Sequence, residues 1–211
     1  MADRGSGHLQ LVTGDSPPVT DAELIAALGR DEEWAAAGLW DRYVPLVRRI
    51  LFRALGPGHD IEDLVQETFI RLYRKLPGLR DAQACKGFVI TIATRVLQTE
   101  LRRRWVWRWL GLSDDGSVPE RPTEATDHEA RDALGRFYAL LDRLGVQQRT
   151  VFVLRHIEGL ELTEVAEAAG VSLATVKRWL PRITHRLHAQ AARDPVLKAY
   201  LTETGFQVGG R

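Results

Sequence analysis

Lys177, Arg178 and Arg182 lie in a stretch, Ala168 to Arg193, that contains no aspartate or glutamate. Cationic side chains with no carboxylate beside them are available to phosphates and to the acceptor edge of guanine. A second grouping stands upstream, where Arg104 and Arg108 interleave with Trp105, Trp107 and Trp109. Between the two, Ser113 to Glu129 carries six acids against the single base Arg121. The formal net charge of +1 over 211 residues therefore conceals two basic segments set against an acidic connector. Covalent chemistry has no comparable grouping. The six histidines are scattered without metal-ligand spacing, and no glycine-rich phosphate loop or nucleophile motif occurs. Cys85 is the only cysteine, so no internal disulfide and no cysteine-rich zinc site can form. The expectation is no catalytic residues, no metal and no cofactor.

The downstream bases are positioned by a pattern running from Thr163 to Ser172. A short alanine-rich helix closes on Gly170, Val171 plugs the angle, and Ser172 is placed to cap a second helix. This spacing predicts a helix-turn-helix, whose second helix enters the major groove of DNA. At 100° per residue Val176, Leu180, Ile183 and Leu187 converge on one stripe of that helix. Arg178 and His185 point opposite, with Ala174, Lys177 and Arg182 on the flanks and Trp179 at the stripe's edge. Amide groups at Ser172 to Thr175 favour a phosphate. Pro181 removes one hydrogen bond and predicts a kink beyond the first turns.

The upstream half reads as four helices. Thr20-Asp21-Ala22-Glu23 is a capping box, and a second helix from about Glu32 to Leu55 carries Pro45 inside it. Asp60 starts a third helix to about Leu76, with Ile61, Leu64, Val65, Thr68, Leu72 and Leu76 on one apolar face. A fourth runs from about Gly87 to Leu110. Nothing alternates with period two, so the fold class is all-α: two small helical domains joined by a flexible linker. The divisions are a tail over 1–19, a first domain over 20–112, a linker over 113–126, a second domain over 127–193 and a C-terminal tail over 194–211. A hydrophobic content of 45% without an apolar span of membrane length suits a soluble protein without membrane insertion, and the lone cysteine suits the cytoplasm.

Gln148-Arg149-Thr150-Val151-Phe152-Val153-Leu154-Arg155-His156-Ile157-Glu158-Gly159-Leu160, followed by Thr163-Glu164-Val165-Ala166 and Thr175-Val176-Lys177, resembles region four of extracytoplasmic-function sigma factors. Asp63-Leu64-Val65-Gln66-Glu67-Thr68-Phe69-Ile70-Arg71-Leu72-Tyr73 resembles the most characteristic segment of their region two. Lys86-Gly87-Phe88-Val89, Ile92-Ala93-Thr94-Arg95 and Leu101-Arg102-Arg103-Arg104 look like the helix that reads the minus-ten element. Glu161, Trp179 and Pro181 depart from the family pattern. The resemblance implies a factor that binds core RNA polymerase, recognises minus-ten and minus-thirty-five promoter elements and directs initiation. The competing reading is a stand-alone helix-turn-helix regulator.

By residue, the resemblance implies a polymerase-binding face of Asp63, Gln66, Glu67, Ile70, Arg71 and Arg74. It places minus-ten DNA, with an extruded base of the non-template strand, at Arg80, Asp81, Gln83, Lys86, Arg95, Gln98, Arg102 and Arg103. Minus-thirty-five DNA falls to Ser172, Ala174, Thr175, Lys177, Arg178 and Arg182. A cognate anti-sigma protein is implied as well. Cys85 carries no chemistry in this reading. Trp105, Trp107 and Trp109 stay open between core or partner contact, base stacking and a membrane surface.

Overall fold

In the computed structural model, residues 19–57, 59–110 and 126–204 are described, and every regular element among them is helical. Apart from their last residues, the expected tail (1–19) and linker (113–126) lie outside the described residues. The first unit comprises α1 (Asp21–Leu28), α2 (Glu33–Leu55), α3 (Ile61–Lys75) and α4 (Cys85–Trp109). The expected capping box forms: Thr20 Oγ1 accepts from the Glu23 amide and the Glu23 carboxylate accepts from the Thr20 amide. Asp60 caps α3 by accepting from the Asp63 amide at 3.4 Å. The apolar faces of these helices meet in one core of Leu39, Val47, Leu51, Val65, Phe69, Leu72, Val89, Ile92 and Leu97. Trp40 lies against Phe69 with ring centroids 4.5 Å apart, and the Tyr73 hydroxyl donates to the Ala36 carbonyl across the bundle. Cys85 is buried in this core, and burial pushes its thiol up, away from the thiolate that reactivity would need.

The second unit comprises α5 (Thr126–Leu141), α6 (Val146–Phe152), α7 (Leu162–Ala169), α8 (Leu173–Ala191) and α9 (Pro195–Thr204). Helix α6 runs on into a π turn over Val153–Ile157, in which the Glu158 amide reaches back to the Val153 carbonyl. Helix α9 falls within the stretch 194–211 expected as a tail. Its start is an Asp-Pro signal: Asp194 Oδ1 accepts from the amides of Val196 and Leu197, and Pro195 opens the first turn. Leu197 is buried against the cluster of Ala133, Leu141, Phe152 and Leu187. Pro45 and Pro181 both lie within continuous helices.

The two units do not stand apart. Ile50 of α2 and Ile90 of α4 belong to the same buried cluster as Val151, Leu154, Val165 and Ala169, while Val153 packs into the first unit's core. Polar contacts tie the C-terminus of α2 to the second unit. Arg149 donates from Nε to the Ala54 carbonyl at 2.8 Å and pairs with Asp142. Arg49 pairs with Glu158 at 2.8 Å, and Arg53 donates to the Ile157 carbonyl. Gly56 ends α2 with φ +91, and a Cβ there would meet the ring of Tyr138 at 3.0 Å. Gly56→Ala should therefore cost about 2 kcal/mol, from backbone strain and the displaced ring together. Urea denaturation reads this directly, and an unchanged midpoint would mean the turn relaxes without loss.

Candidate nucleic-acid interface

The helix-turn-helix forms as the sequence predicts. Gly170 takes the left-handed conformation at φ 69, which lets the Val171 amide close on the Ala166 carbonyl at 3.0 Å. At the start of α7 the Glu164 carboxylate accepts from the Glu161 amide, so the acid at Glu161 is accommodated. Ser172 Oγ accepts from the Thr175 amide at 3.1 Å and caps α8. The amides of Leu173 and Ala174 then remain without an intrahelical acceptor. Val176, Leu180, Ile183 and Leu187 are buried, and Trp179 is half-buried at their edge. Ser172, Ala174, Lys177, Arg178 and Arg182 are exposed, with Thr175 half-buried beside them. The first turns of α8 thus offer two cations, an arginine one turn on, and amide donors on one outward face.

The loop before α4 is also outward. Arg80, Asp81, Gln83 and Lys86 are all exposed. Asp81 is committed locally, accepting from the Gln83 amide at 2.9 Å and starting the turn that feeds α4. Arg95, Arg102 and Arg103 are exposed along the helix that follows. Gln98 is the exception among the residues expected at minus-ten DNA. It is buried and donates to the Ala169 carbonyl at 3.1 Å, facing the helix-turn-helix unit. Glu100, the one acid of α4, is buried and pairs with Arg103 and Arg104. Burial opposes its ionisation, but the two guanidiniums hold the carboxyl below the usual carboxylate range.

On α3 the side away from the core brings together Asp63, Gln66, Glu67, Ile70, Arg71 and Arg74. Ile70 is half exposed at its centre, and Glu67 pairs with Arg71. An apolar residue ringed by charges suits a protein contact better than DNA. Sequence reasoning had no signal for the residues that join the two units, Arg149, Tyr138 and Glu158. Their partners lie 85 to 109 residues away in the chain.

This geometry defines a two-unit all-helical protein with a helix-turn-helix in the second unit and exposed cations on α4 and α8. The family model for sigma-70 region 2 matches residues 39–106, and that for sigma-70 region 4 matches 134–183. The chain is 35% identical over 196 residues to the ECF RNA polymerase sigma factor SigE of Mycolicibacterium smegmatis, covering 88% of this chain and 75% of that one. It is 30% identical over 138 residues to the ferric citrate uptake sigma factor FecI of Escherichia coli, covering 63% of this chain and 76% of that one. A solved structure of CnrH in complex with the cytosolic domain of CnrY shares the fold, with a TM-score of 0.59 at 23% identity over 82% of this chain and 98% of that one. The chain belongs to the extracytoplasmic-function sigma factors of the sigma-70 family. It is a sigma factor that binds core RNA polymerase, recognises promoter DNA and directs transcription initiation. The region-two match sets aside the stand-alone regulator.

Proposed function

We propose that three surfaces divide the work of initiation. The outward face of α3, with Asp63, Gln66, Glu67, Ile70, Arg71 and Arg74, docks on core polymerase. The loop 79–86 with Arg95, Arg102 and Arg103 of α4 holds minus-ten DNA, both as duplex and as the extruded non-template strand. The first turns of α8, from Ser172 to Arg182, read the minus-thirty-five element. The observation that carries this reading is the outward face of α8. Its cations and amide donors are exposed behind a formed turn and a serine cap, as a major-groove helix requires.

The chain itself performs no catalytic step, because bond formation belongs to the polymerase, and it uses no cofactor or metal. It acts in the cytoplasm; among the described residues no helix is long and apolar enough to cross a membrane. A regulatory partner is part of the proposal. The CnrH structure is of a complex with the cytosolic domain of CnrY, and an anti-sigma protein is proposed to hold this chain in the same manner.

The test is comigration of the purified chain with bacterial core RNA polymerase on a sizing column at moderate salt. Gln66→Ala combined with Arg71→Ala should weaken that complex about tenfold or more while leaving the helical signal intact, since both side chains stand outside the core. Unchanged affinity in the double variant would remove the α3 face from the docking surface.

A further inference from the structure

Helix α4 extends beyond the core that it helps to build. Leu101 is its last buried residue among those described, and helical bonding continues to Leu110, whose amide donates to the Val106 carbonyl at 3.0 Å. Nine residues at 1.5 Å each carry the tip about 14 Å past the packed layer. Trp105, Trp107 and Trp109 are 60%, 53% and 76% exposed there, and Val106 and Leu110 are exposed with them. The tryptophans do not close the core.

Two features of this tip identify what covers it. The first is that its apolar groups do not share one face. At 100° per residue, Trp105, Trp109, Val106, Leu110 and Trp107 follow one another over about 200° of the circumference. A protein groove or a nucleic-acid strand covers one side of a helix, whereas a fluid medium closes round the whole tip. The second is axial order. Arg102 and Arg103 lie within the same arc about one turn earlier and are exposed, Arg103 keeping 64% of its side chain exposed while paired with Glu100. That glutamate is the one acid of α4 and is buried. Cations thus form a collar behind an apolar end, and the step from Arg103 to Leu110 is about 10 Å. Apolar groups of peripheral helices enter the headgroup and acyl boundary of a bilayer to about 5–10 Å. Tryptophan concentrates at that boundary because its ring is apolar and its N–H is polar.

We propose that the tip of α4 is a peripheral membrane contact. The three tryptophans, Val106 and Leu110 enter the interface of an anionic bilayer, while Arg102 and Arg103 meet the lipid phosphates. The tip rests in the interface and does not cross it; among the described residues no helix is long and apolar enough to do so. Apolar insertion and charge attraction, each weak alone, together give reversible attachment. Arg102 and Arg103 also belong to the proposed minus-ten surface. The lipid contact does not rest on that role and is measured without promoter DNA.

The test is flotation of the full-length chain with vesicles of phosphatidylcholine alone and of phosphatidylcholine mixed with phosphatidylglycerol, at low salt. Each base near an anionic surface strengthens binding about fivefold. Wild type should therefore bind the anionic vesicles at least about tenfold more tightly than the neutral ones, and the preference should fade as salt is raised. Lipid brominated on its acyl chains should quench tryptophan emission, a reading that needs no variant. The triple variant Trp105→Ala, Trp107→Ala, Trp109→Ala should keep its helical signal, since none of the three is buried, and bind either vesicle at least about tenfold more weakly. Arg102→Ala with Arg103→Ala should lose about 25-fold on the anionic vesicles. Wild type that does not float overturns the proposal, and so does unchanged flotation of the triple variant. Emission that shifts with a single-stranded oligonucleotide and not with vesicles overturns it in favour of nucleic acid. A wild-type dimer that the triple variant converts to monomer, with no flotation, overturns it in favour of a second copy of the chain.

Discussion

Replacing Arg149 with methionine should lower the stability of the packed chain by about 3 kcal/mol and loosen the two units from each other. Arg149 is 4% exposed. It sits where α2 ends, at the carbonyls that have no partner within the helix. Its Nε donates to the Ala54 carbonyl at 2.8 Å and Nη2 approaches the Leu55 carbonyl at 3.5 Å. A guanidinium there also meets the negative end of the helix dipole. Burial pulls the guanidinium pKa down and Asp142 opposes that shift, so the site holds its charge through specific contacts. Methionine keeps the apolar bulk but supplies no donor, and two inward carbonyls lose their cap. Asp142, at 38% side-chain exposure, turns to water at little cost.

The measurement is urea denaturation together with small-angle scattering. A compact chain of this length has a radius of gyration of about 17 Å, and the variant should exceed wild type. Arg143→Met, at an exposed site between α5 and α6, removes the same charge and should change neither reading. If Arg149→Met behaves like that control, the apolar layer of Ile50, Ile90, Val151 and Leu154 holds the units together unaided.

The packing bears on how the factor works. On the proposed assignments, α4 holds minus-ten DNA and α8 holds minus-thirty-five DNA. Those elements lie about 25 base pairs apart by their names, or about 85 Å at 3.4 Å per pair. Yet Gln98 of α4 touches Ala169, three residues before the cap of α8. On those assignments the packed form cannot span both elements, and promoter engagement would require the units to part, which would also break the bond of Gln98 to Ala169. Initiation should accordingly survive Arg149→Met, because the substitution favours the separated arrangement.

What the sequence made legible was local. The stripe of α8, the left-handed Gly170 and the Ser172 cap depend on residues within one or two turns of each other, and each appears where spacing placed it. The outward face of α3 was legible for the same reason. The packing between units was not, because its donors and acceptors are far apart in the chain and each looks ordinary in its own segment. In the sequence, Arg149 and Glu158 stand out only as part of the stretch resembling region four, and nothing there points to α2. One hint was available in α4, where Val89, Ile90, Ile92, Ala93, Val96 and Leu97 are all buried. Apolar residues around so much of a helix's circumference mean packing on more than one side. The Asp-Pro start of α9 was readable too, but a ten-residue helix near a chain end is easily taken for a tail. The π turn has no comparable sequence mark.

Arg178→Ala tests the proposed readout most sharply, because its result should depend on the DNA offered. Arg178 is exposed and points away from the buried stripe of Val176, Leu180 and Ile183. It is six residues past the Ser172 cap, in the turns of a recognition helix that reach base edges. A bidentate arginine on guanine is worth about 1–3 kcal/mol of discrimination. The substitution should therefore weaken transcription from one class of upstream element by about 30-fold, taking about 2 kcal/mol at 1.4 kcal/mol per tenfold. Elements that differ at the contacted base pair should lose little. The comparison is run with holoenzyme on a library randomised across the minus-thirty-five element, at two salt concentrations. Selective loss at one position, with an unchanged salt slope, assigns Arg178 to a base. Equal loss on every sequence, with the slope reduced by about one, makes it a phosphate contact instead and moves the readout to its neighbours Lys177 and Arg182. The fold gives no reason for a third result, since the side chain supports nothing in the core and its removal leaves the turn, the cap and the stripe in place.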